Sequence, residues 1–284
     1  MIELLDNFSF ATVCCDGASG LLQLPDRSIK LVYGSPPYPN ADRDYGIWKS
    51  SEYIEKISPF IDAAMQKLCD DGFVVINVKA NREKSGTSSS SRRSLVVERL
   101  AILLEDRWRL YCVDIEIWVK ENPVTTGLRV ACQDAYEMNL WFSKASKWTI
   151  NLDAIRRPYT SHSVKTYGEY EYKPRSNGLS YVRNNKRIEP HPLGALPKNV
   201  ISGGVSSIAG VHQATQPLYL PEKYIKAATG RGDLVVDPWM GSGTTGVAAL
   251  SLGRRFIGFD VKQEYVDGAR ARLAAVREDK NHDG

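Results

Sequence analysis

With 284 residues, 43% hydrophobic and 25% charged, the chain has the composition of a folded globular protein and length for one large α/β domain with an insertion, or for two small domains. It has no apolar run of about eighteen residues and no basic start of a secretory signal in Met1-Ile2-Glu3-Leu4-Leu5-Asp6, so no membrane partner is expected and a cytoplasmic protein is predicted. The net charge of +4 hides two basic stretches on an otherwise acidic body, nine basic residues against four acidic over 151–212 and five against one over 79–93, a distribution that favours a polyanionic partner.

In chain order, Phe10 to Cys15 reads as a first strand ending at Asp16-Gly17, and Asp16, at that strand's carboxyl end, is placed to cap the next helix. A short amphipathic helix with Leu21, Leu22 and Leu24 follows, closed by Pro25-Asp26, and then a buried strand, Ile29 to Tyr33, ending at Gly34. Next comes Ser35-Pro36-Pro37-Tyr38. Two prolines forbid both a continuing strand and an immediate helix, so a stiff turn is expected at a strand's carboxyl end, where open α/β sheets bind ligands. An ordinary proline-rich loop would read the same way. The chemical reading is that Ser35 Oγ and the Pro36 carbonyl grip the two protons of an exocyclic amine while the Tyr38 ring stacks on its base. A neutral serine is too weak a base to deprotonate the amine, so its role is positioning.

Pro39 to Ser51 is a polar and aromatic loop containing Arg43 and Tyr45, suited to closing over a base. A helix is expected from Ser51 to about Leu68, with a kink or break at Pro59, then a buried strand from Phe73 to Val78. Lys79 to Ser94 holds four consecutive serines among basic residues. It reads as a solvated loop, or as a mobile one that meets phosphates through Lys79, Arg82, Lys84, Arg92 and Arg93. A helix from Leu95 to Glu105 precedes two strands, Arg109 to Val119 and Tyr136 to Phe142, that are expected to pair. From Asn151 to Val211 five tyrosines interleave with basic residues, among them Lys173, Arg175, Arg183, Lys186 and Arg187, and prolines break the regularity. This stretch reads as an inserted recognition segment, or as a variable solvated insertion.

His212 to Pro217 leads into a helix, Glu222 to Thr229, and Leu234 to Val236 is a strand. The loop Asp237-Pro238-Trp239-Met240-Gly241-Ser242-Gly243-Thr244-Thr245-Gly246 then opens an apolar helix that ends near Gly253. A strand from Arg255 to Phe259 ends in Asp260, nineteen positions after Gly241, where an acid commonly accepts ribose hydroxyls. The glycines satisfy G-x-G-x-x-G, but the 24 residues left after Asp260 are too few for a second mononucleotide half, and Asp237 suits an ammonium better than a pyrophosphate. The five cysteines, Cys14, Cys15, Cys69, Cys112 and Cys132, are scattered and read as reduced, with no metal expected.

Ser35-Pro36-Pro37-Tyr38 after its apolar strand resembles motif IV of the amino-methylating DNA methyltransferases, in which a first-position serine is typical of the N4-cytosine group. Asp237 to Gly246 resembles motif I, Asp16 matches the motif III acid, and His212 to Pro217 resembles motif X, departing from it where many relatives have His-Pro and this chain has His212-Gln213. The likeness runs from about Asp16 to Leu273, in the permuted order of the β class: catalytic half at 1–150, inserted target-recognition region at 151–211, donor half at 212–284.

That resemblance implies a Rossmann-like class I methyltransferase, an α/β fold with a mostly parallel seven-stranded sheet and helices on both faces. It implies S-adenosyl-L-methionine as cofactor, held by Asp16, Gly34, Ser35, Gln216, Pro217, Asp237, Pro238, Gly241, Ser242, Gly243, Thr244, Thr245 and Asp260, with Ser35, Pro36, Pro37 and Tyr38 catalytic. The implied reaction is methylation of N4 of a cytosine flipped out of double-stranded DNA, as part of or related to a restriction-modification system. A cognate endonuclease and a homodimer are the protein partners it leaves open. Adenine-N6 methylation and a catalytically silent DNA-binding subunit are the alternatives. A covalent C5 route is excluded because no cysteine follows a proline.

Overall fold

The computed structural model describes residues 8–42, 46–79, 82–84, 91–123, 132–160, 191–204, 206–208 and 212–282. The strands are β1 (Phe10–Cys14), β2 (Ile29–Gly34), β3 (Leu68–Val78), β4 (Arg82–Lys84), β5 (Ser91–Arg93), β6 (Tyr111–Lys120), β7 (Tyr136–Ser143), β8 (Val200–Gly203), β9 (Ser206–Ile208), β10 (His212–Thr215), β11 (Leu234–Asp237) and β12 (Arg255–Asp260). The helices are α1 (Gly17–Leu22), α2 (Tyr53–Lys67), α3 (Val96–Asp106), α4 (Tyr219–Ala228), α5 (Thr244–Ser251) and α6 (Gln263–His282). None of them is long and apolar enough to cross a membrane.

Eight strands form one sheet in the order β1-β12-β11-β2-β3-β7-β6-β8. Pairing is parallel from β1 through to β3 and again between β6 and β8, and only β7 runs against its neighbours. The expected seven strands are joined by an eighth, Val200–Gly203, at the β6 edge, in a stretch that the sequence reading assigned to the insertion. By its contacts the chain divides into a compact unit over Asn151–Lys198 and a second unit made of everything else. Within the smaller unit, Arg157 pairs with Ala195 in an isolated bridge and Arg156 Nε meets Asp153 Oδ1 at 2.6 Å.

The central strands are apolar on both faces because both faces are covered, as is usual for parallel sheets. Val32, Val74, Ile76, Val78, Val236, Ile257 and Phe259 share one buried cluster with Leu21 of α1, Ile57 and Ile61 of α2, and Val97, Leu100 and Leu104 of α3. On the opposite face Tyr33 and Trp141 pack on Tyr224 of α4, their ring centroids 5.7 and 5.3 Å from it.

Several local features depart from expectation. The break allowed for at Pro59 does not occur: α2 runs through it, with Ile57, Phe60, Ile61, Ala63 and Ala64 buried on either side. Arg109 does not open a strand, because it adopts a left-handed φ of 56° in the turn that ends α3, and β6 starts at Tyr111. Within the stretch read as a loop, β4 and β5 pair antiparallel. The long helix α6, which packs Val266, Ala269 and Leu273 inward, has no counterpart in the sequence reading.

Candidate active site

Strands β2 and β11 are parallel neighbours, with Val235 opposite Leu31 and Val236 opposite Val32. Their carboxyl ends therefore deliver Ser35 and Asp237 to the same edge of the sheet, and both residues line one cavity of about 360 Å³, a volume within the range of small-molecule sites. Residues more than two hundred positions apart in the chain thus share a wall. Asp260 and Asp16 reach the same cavity from the ends of β12 and β1, which pair through Cys14 and Asp260.

The glycine loop is built by its backbone. Gly241 and Gly243 sit at φ 50° and 78°, a region that disfavours side chains, and Gly243 is the N-cap of α5. Asp260 pins the loop from outside, its Oδ2 accepting the Gly241 N–H at 2.9 Å while Oδ1 accepts the Lys262 N–H at 3.0 Å. Asp237 holds it from inside: Oδ2 accepts from Thr245 Oγ1 at 2.6 Å and Oδ1 from the Trp239 N–H at 3.0 Å. Both donors are neutral. Burial pushes the Asp237 carboxyl up to about 7, against the lowering effect of those two hydrogen bonds. A buried acid that faces a cavity and is hydrogen-bonded only by neutral groups fits a ligand bearing an ammonium. Asp16, expected either to cap or to bind, caps α1 by accepting the Ser19 N–H at 3.0 Å, and it also lines the cavity.

Opposite the loop stands the Ser35–Tyr38 turn, tied to the sheet by a polar network. Ser35 Oγ lies 3.2 Å from Tyr38 Oη and 3.3 Å from Asn77 Oδ1. Tyr38 Oη is 2.8 Å from Asn77 Oδ1 and 2.7 Å from Glu137 Oε2. The other Glu137 oxygen is ion-paired with Lys120, Asn77 Nδ2 donates to Asn139 Oδ1 at 3.0 Å, and Gln216 bridges Tyr33 and Asn77. Burial, and next the Glu137 charge, push the Tyr38 phenol well above its ordinary range. Trp48, Phe60 and Trp239 give the cavity an aromatic wall, with Phe60 and Trp239 centroids 4.8 Å apart.

Among the residues read from sequence, Asp16, Ser35, Pro36, Pro37, Tyr38, Gln216, Asp237, Pro238, Gly241, Ser242, Thr244, Thr245 and Asp260 line the cavity. Gly34, Pro217 and Gly243 do not; Gly34 is a spacer whose missing Cβ leaves room for Asp237 and Trp239. Asn77, Lys120, Glu137 and Asn139 were not singled out from sequence. The usable signal was polar side chains at buried-face positions of apolar strands, since such groups must find partners there. Of the basic residues expected to meet phosphates, Lys79 and Arg93 both approach Asp134, at 3.9 and 3.8 Å, and the Arg93 guanidinium lies 5.0 Å from the Tyr136 ring centroid. Arg82 is half-buried and Arg92 exposed, and Lys84 contributes its backbone to β4. Arg43, Tyr45, Lys173, Arg175, Arg183, Lys186 and Arg187 lie outside the described residues.

Comparison with known proteins agrees with this geometry. The sequence profile described as DNA methylase, of the N6/N4 type, matches residues 29–271. Type II methyltransferase M.PvuII of Proteus hauseri is 26% identical over 285 residues, covering 91% of this chain and 82% of that protein. A solved structure titled PvuII DNA methyltransferase (cytosine-N4-specific) superposes with a TM-score of 0.69 at 21% identity, over 95% of this chain and 92% of that one. A solved structure from Thermus thermophilus, complexed with S-adenosyl-L-methionine, superposes with a TM-score of 0.62 at 20% identity, over 94% of each chain. These likenesses identify the fold as that of the class I methyltransferases.

Proposed function

Because the chain belongs to the N6/N4 DNA methylase family, we propose that it moves a methyl group from S-adenosyl-L-methionine to N4 of a cytosine flipped out of double-stranded DNA. The observation that carries this reading is the shared cavity, with Ser35-Pro36-Pro37-Tyr38 on one wall and the Asp237 loop on the other. The donor, when bound, supplies an electrophilic methyl group on a sulfonium. Everything else falls to the chain's own residues.

Asp237 would receive the donor's ammonium, and the turn from Met240 to Ser242 together with the first N–H groups of α5 would hold the rest of its amino-acid end. Asp260 and Asp16, which line the same cavity, would hold its nucleoside end. On the other wall, Ser35 Oγ and the Pro36 carbonyl accept the two amine protons, which favours a pyramidal nitrogen and frees its lone pair for attack. The half-buried Tyr38 ring lies along the base. Trp48, Phe60 and Trp239 exclude water from the reacting atoms.

Cytosine is favoured over adenine by the serine that opens the turn and by the cytosine-N4 title of the PvuII structure. A place in a type II restriction-modification system, with an endonuclease of matching site as partner, is supported by the type II names of those relatives. Phosphate contacts are assigned to Lys79, to the basic residues of β4 and β5 and to those of the 151–211 segment. The test is mass spectrometry of nucleosides from plasmid treated with the purified chain and donor. N4-methylcytosine is the expected product, N6-methyladenine would move the target to adenine, and unmethylated DNA would overturn the reading.

A further inference from the structure

Methylation of an amine releases a proton, and a serine hydroxyl cannot keep it. Glu137 ends a run of hydrogen-bonded oxygens that begins at the methyl-accepting wall: Ser35 Oγ to Tyr38 Oη at 3.2 Å, then Tyr38 Oη to Glu137 Oε2 at 2.7 Å. The carboxylate is 2% exposed and its second oxygen is paired with Lys120. Glu137, Lys120, Tyr38 and Ser35 all line the cavity. A buried charge that served only packing would be costly to keep against an apolar replacement of the same volume. We propose that Glu137 is the proton acceptor of the reaction, reached from the target amine through the hydroxyls of Ser35 and Tyr38; the inference rests on the amino-methylation reading of the site.

The step balances. The amine lone pair forms the N–C bond while the C–S electrons return to sulfur. The nitrogen gives a proton to Ser35 Oγ, Ser35 gives its own to Tyr38 Oη, and Tyr38 gives its own to Glu137. Each hydroxyl finishes with one proton, the positive sulfonium becomes a neutral thioether, and the carboxylate becomes a neutral acid. Asn77 Oδ1, also within reach of both hydroxyls, already accepts from Gln216 and is an amide, so it orients the chain and takes no proton. The charged or titratable groups around Glu137 are Lys120 on β6, Tyr38 after β2, Tyr33 on β2 and Lys79 after β3. Lys120, ion-paired with the other carboxylate oxygen, offsets the buried charge of Glu137. An N-methylated ammonium whose lone pair can rejoin the ring is a strong acid, so even a paired carboxylate accepts from it.

The test compares wild type, Glu137→Ala, Glu137→Gln and the double variant Tyr38→Phe with Glu137→Ala under single-turnover conditions, with formate and chloride as additives. Glu137→Ala should bind donor and DNA as wild type does, lose about 100-fold or more in methyl transfer, and regain part of it with formate but not chloride. Formate should also raise the melting temperature of Glu137→Ala and leave that of wild type unchanged, which reports the anion seated beside Lys120 without reference to activity. The double variant should melt higher with formate yet show no rescue, because the relay is cut. Glu137→Gln preserves shape and a hydrogen bond to Tyr38, so a purely structural role predicts near-wild-type turnover. That outcome overturns the proposal, as does formate binding to Glu137→Ala without rescue. A wild-type chain that methylates no DNA amine fails the reading of the site itself and takes this inference with it.

Discussion

Gly34 and Asp237 meet across two neighbouring parallel strands, where a Cβ on Gly34 would lie 2.8 Å from Asp237 Oδ1 and 2.8 Å from the Trp239 ring. Neither neighbour gives way easily, because Asp237 is held by Thr245 and by the Trp239 N–H, and the Trp239 ring packs at a tilt against Phe60. Gly34→Ala should therefore cost about 1–3 kcal/mol of stability through overpacking. Donor affinity should fall about tenfold, the equivalent of roughly 1.4 kcal/mol. Thermal melts and titration calorimetry with S-adenosyl-L-methionine measure both, and unchanged affinity would detach Asp237 from the donor.

The buried Asp237 carboxyl makes donor binding depend on pH. Its folded-state value of about 7 lies above the ordinary 3.8, so the ionised form is the one penalised by folding. The ligand-free protein should lose stability as pH climbs from about 4 to about 7 and show no further loss from this group above that. An ammonium ligand needs the carboxylate. Donor affinity should then rise with pH up to about 7, by as much as tenfold per unit, and level off beyond. Asp237→Asn should flatten the stability profile and bind donor weakly throughout. Calorimetry between about pH 5 and 8 checks this, and a flat wild-type profile would remove the ammonium from the site.

What the sequence discloses depends on whether a residue answers to its neighbours in the chain or to distant ones. Val74, Val236 and Phe259 belong to apolar runs bounded by Gly, Pro or Asp, so their strands were legible, as was the Asp237–Gly246 turn. Val200–Gly203 was not, because four residues of mixed polarity gain strand form only from pairing with β6, reinforced by Trp118 Nε1 donating to the Gly203 carbonyl at 3.3 Å. Pro59 suggested a break that packing on both sides of α2 overrides. Glu137 and Asn77 are 60 positions apart and acquire their meaning from Tyr38, which reaches both. Ser35 and Asp237 could be paired in advance only through the permuted order of the family's motifs.

Ser35→Ala separates positioning from binding. The hydroxyl makes only long hydrogen bonds, 3.2 and 3.3 Å, within the protein, so its removal should change stability little. Donor affinity should stay near wild type, while turnover should fall by about 100-fold, the scale seen when one preorganised hydrogen-bonding group is lost from a reacting centre. Rapid-quench measurement of a single turnover checks it, and an unaltered rate would take the serine out of the mechanism.

Away from the cavity, Glu116 on β6 receives both Lys223 Nζ at 2.6 Å and Tyr224 Oη at 2.7 Å from α4. The Glu116 and Lys223 side chains are only 5% and 13% exposed, so the pair is nearly desolvated, and burial followed by the Glu116 charge pushes the Tyr224 phenol well above its ordinary range. Glu116→Ala removes the acceptor of the buried Tyr224 hydroxyl and one partner of Lys223, and should cost about 1–3 kcal/mol. Replacing both partners, Glu116→Leu with Lys223→Met, exchanges the desolvated pair for apolar side chains and should recover much of that loss. Denaturant titrations of the two variants measure the difference. Methylation per folded molecule should match wild type in both, because neither Glu116 nor Lys223 lines the cavity.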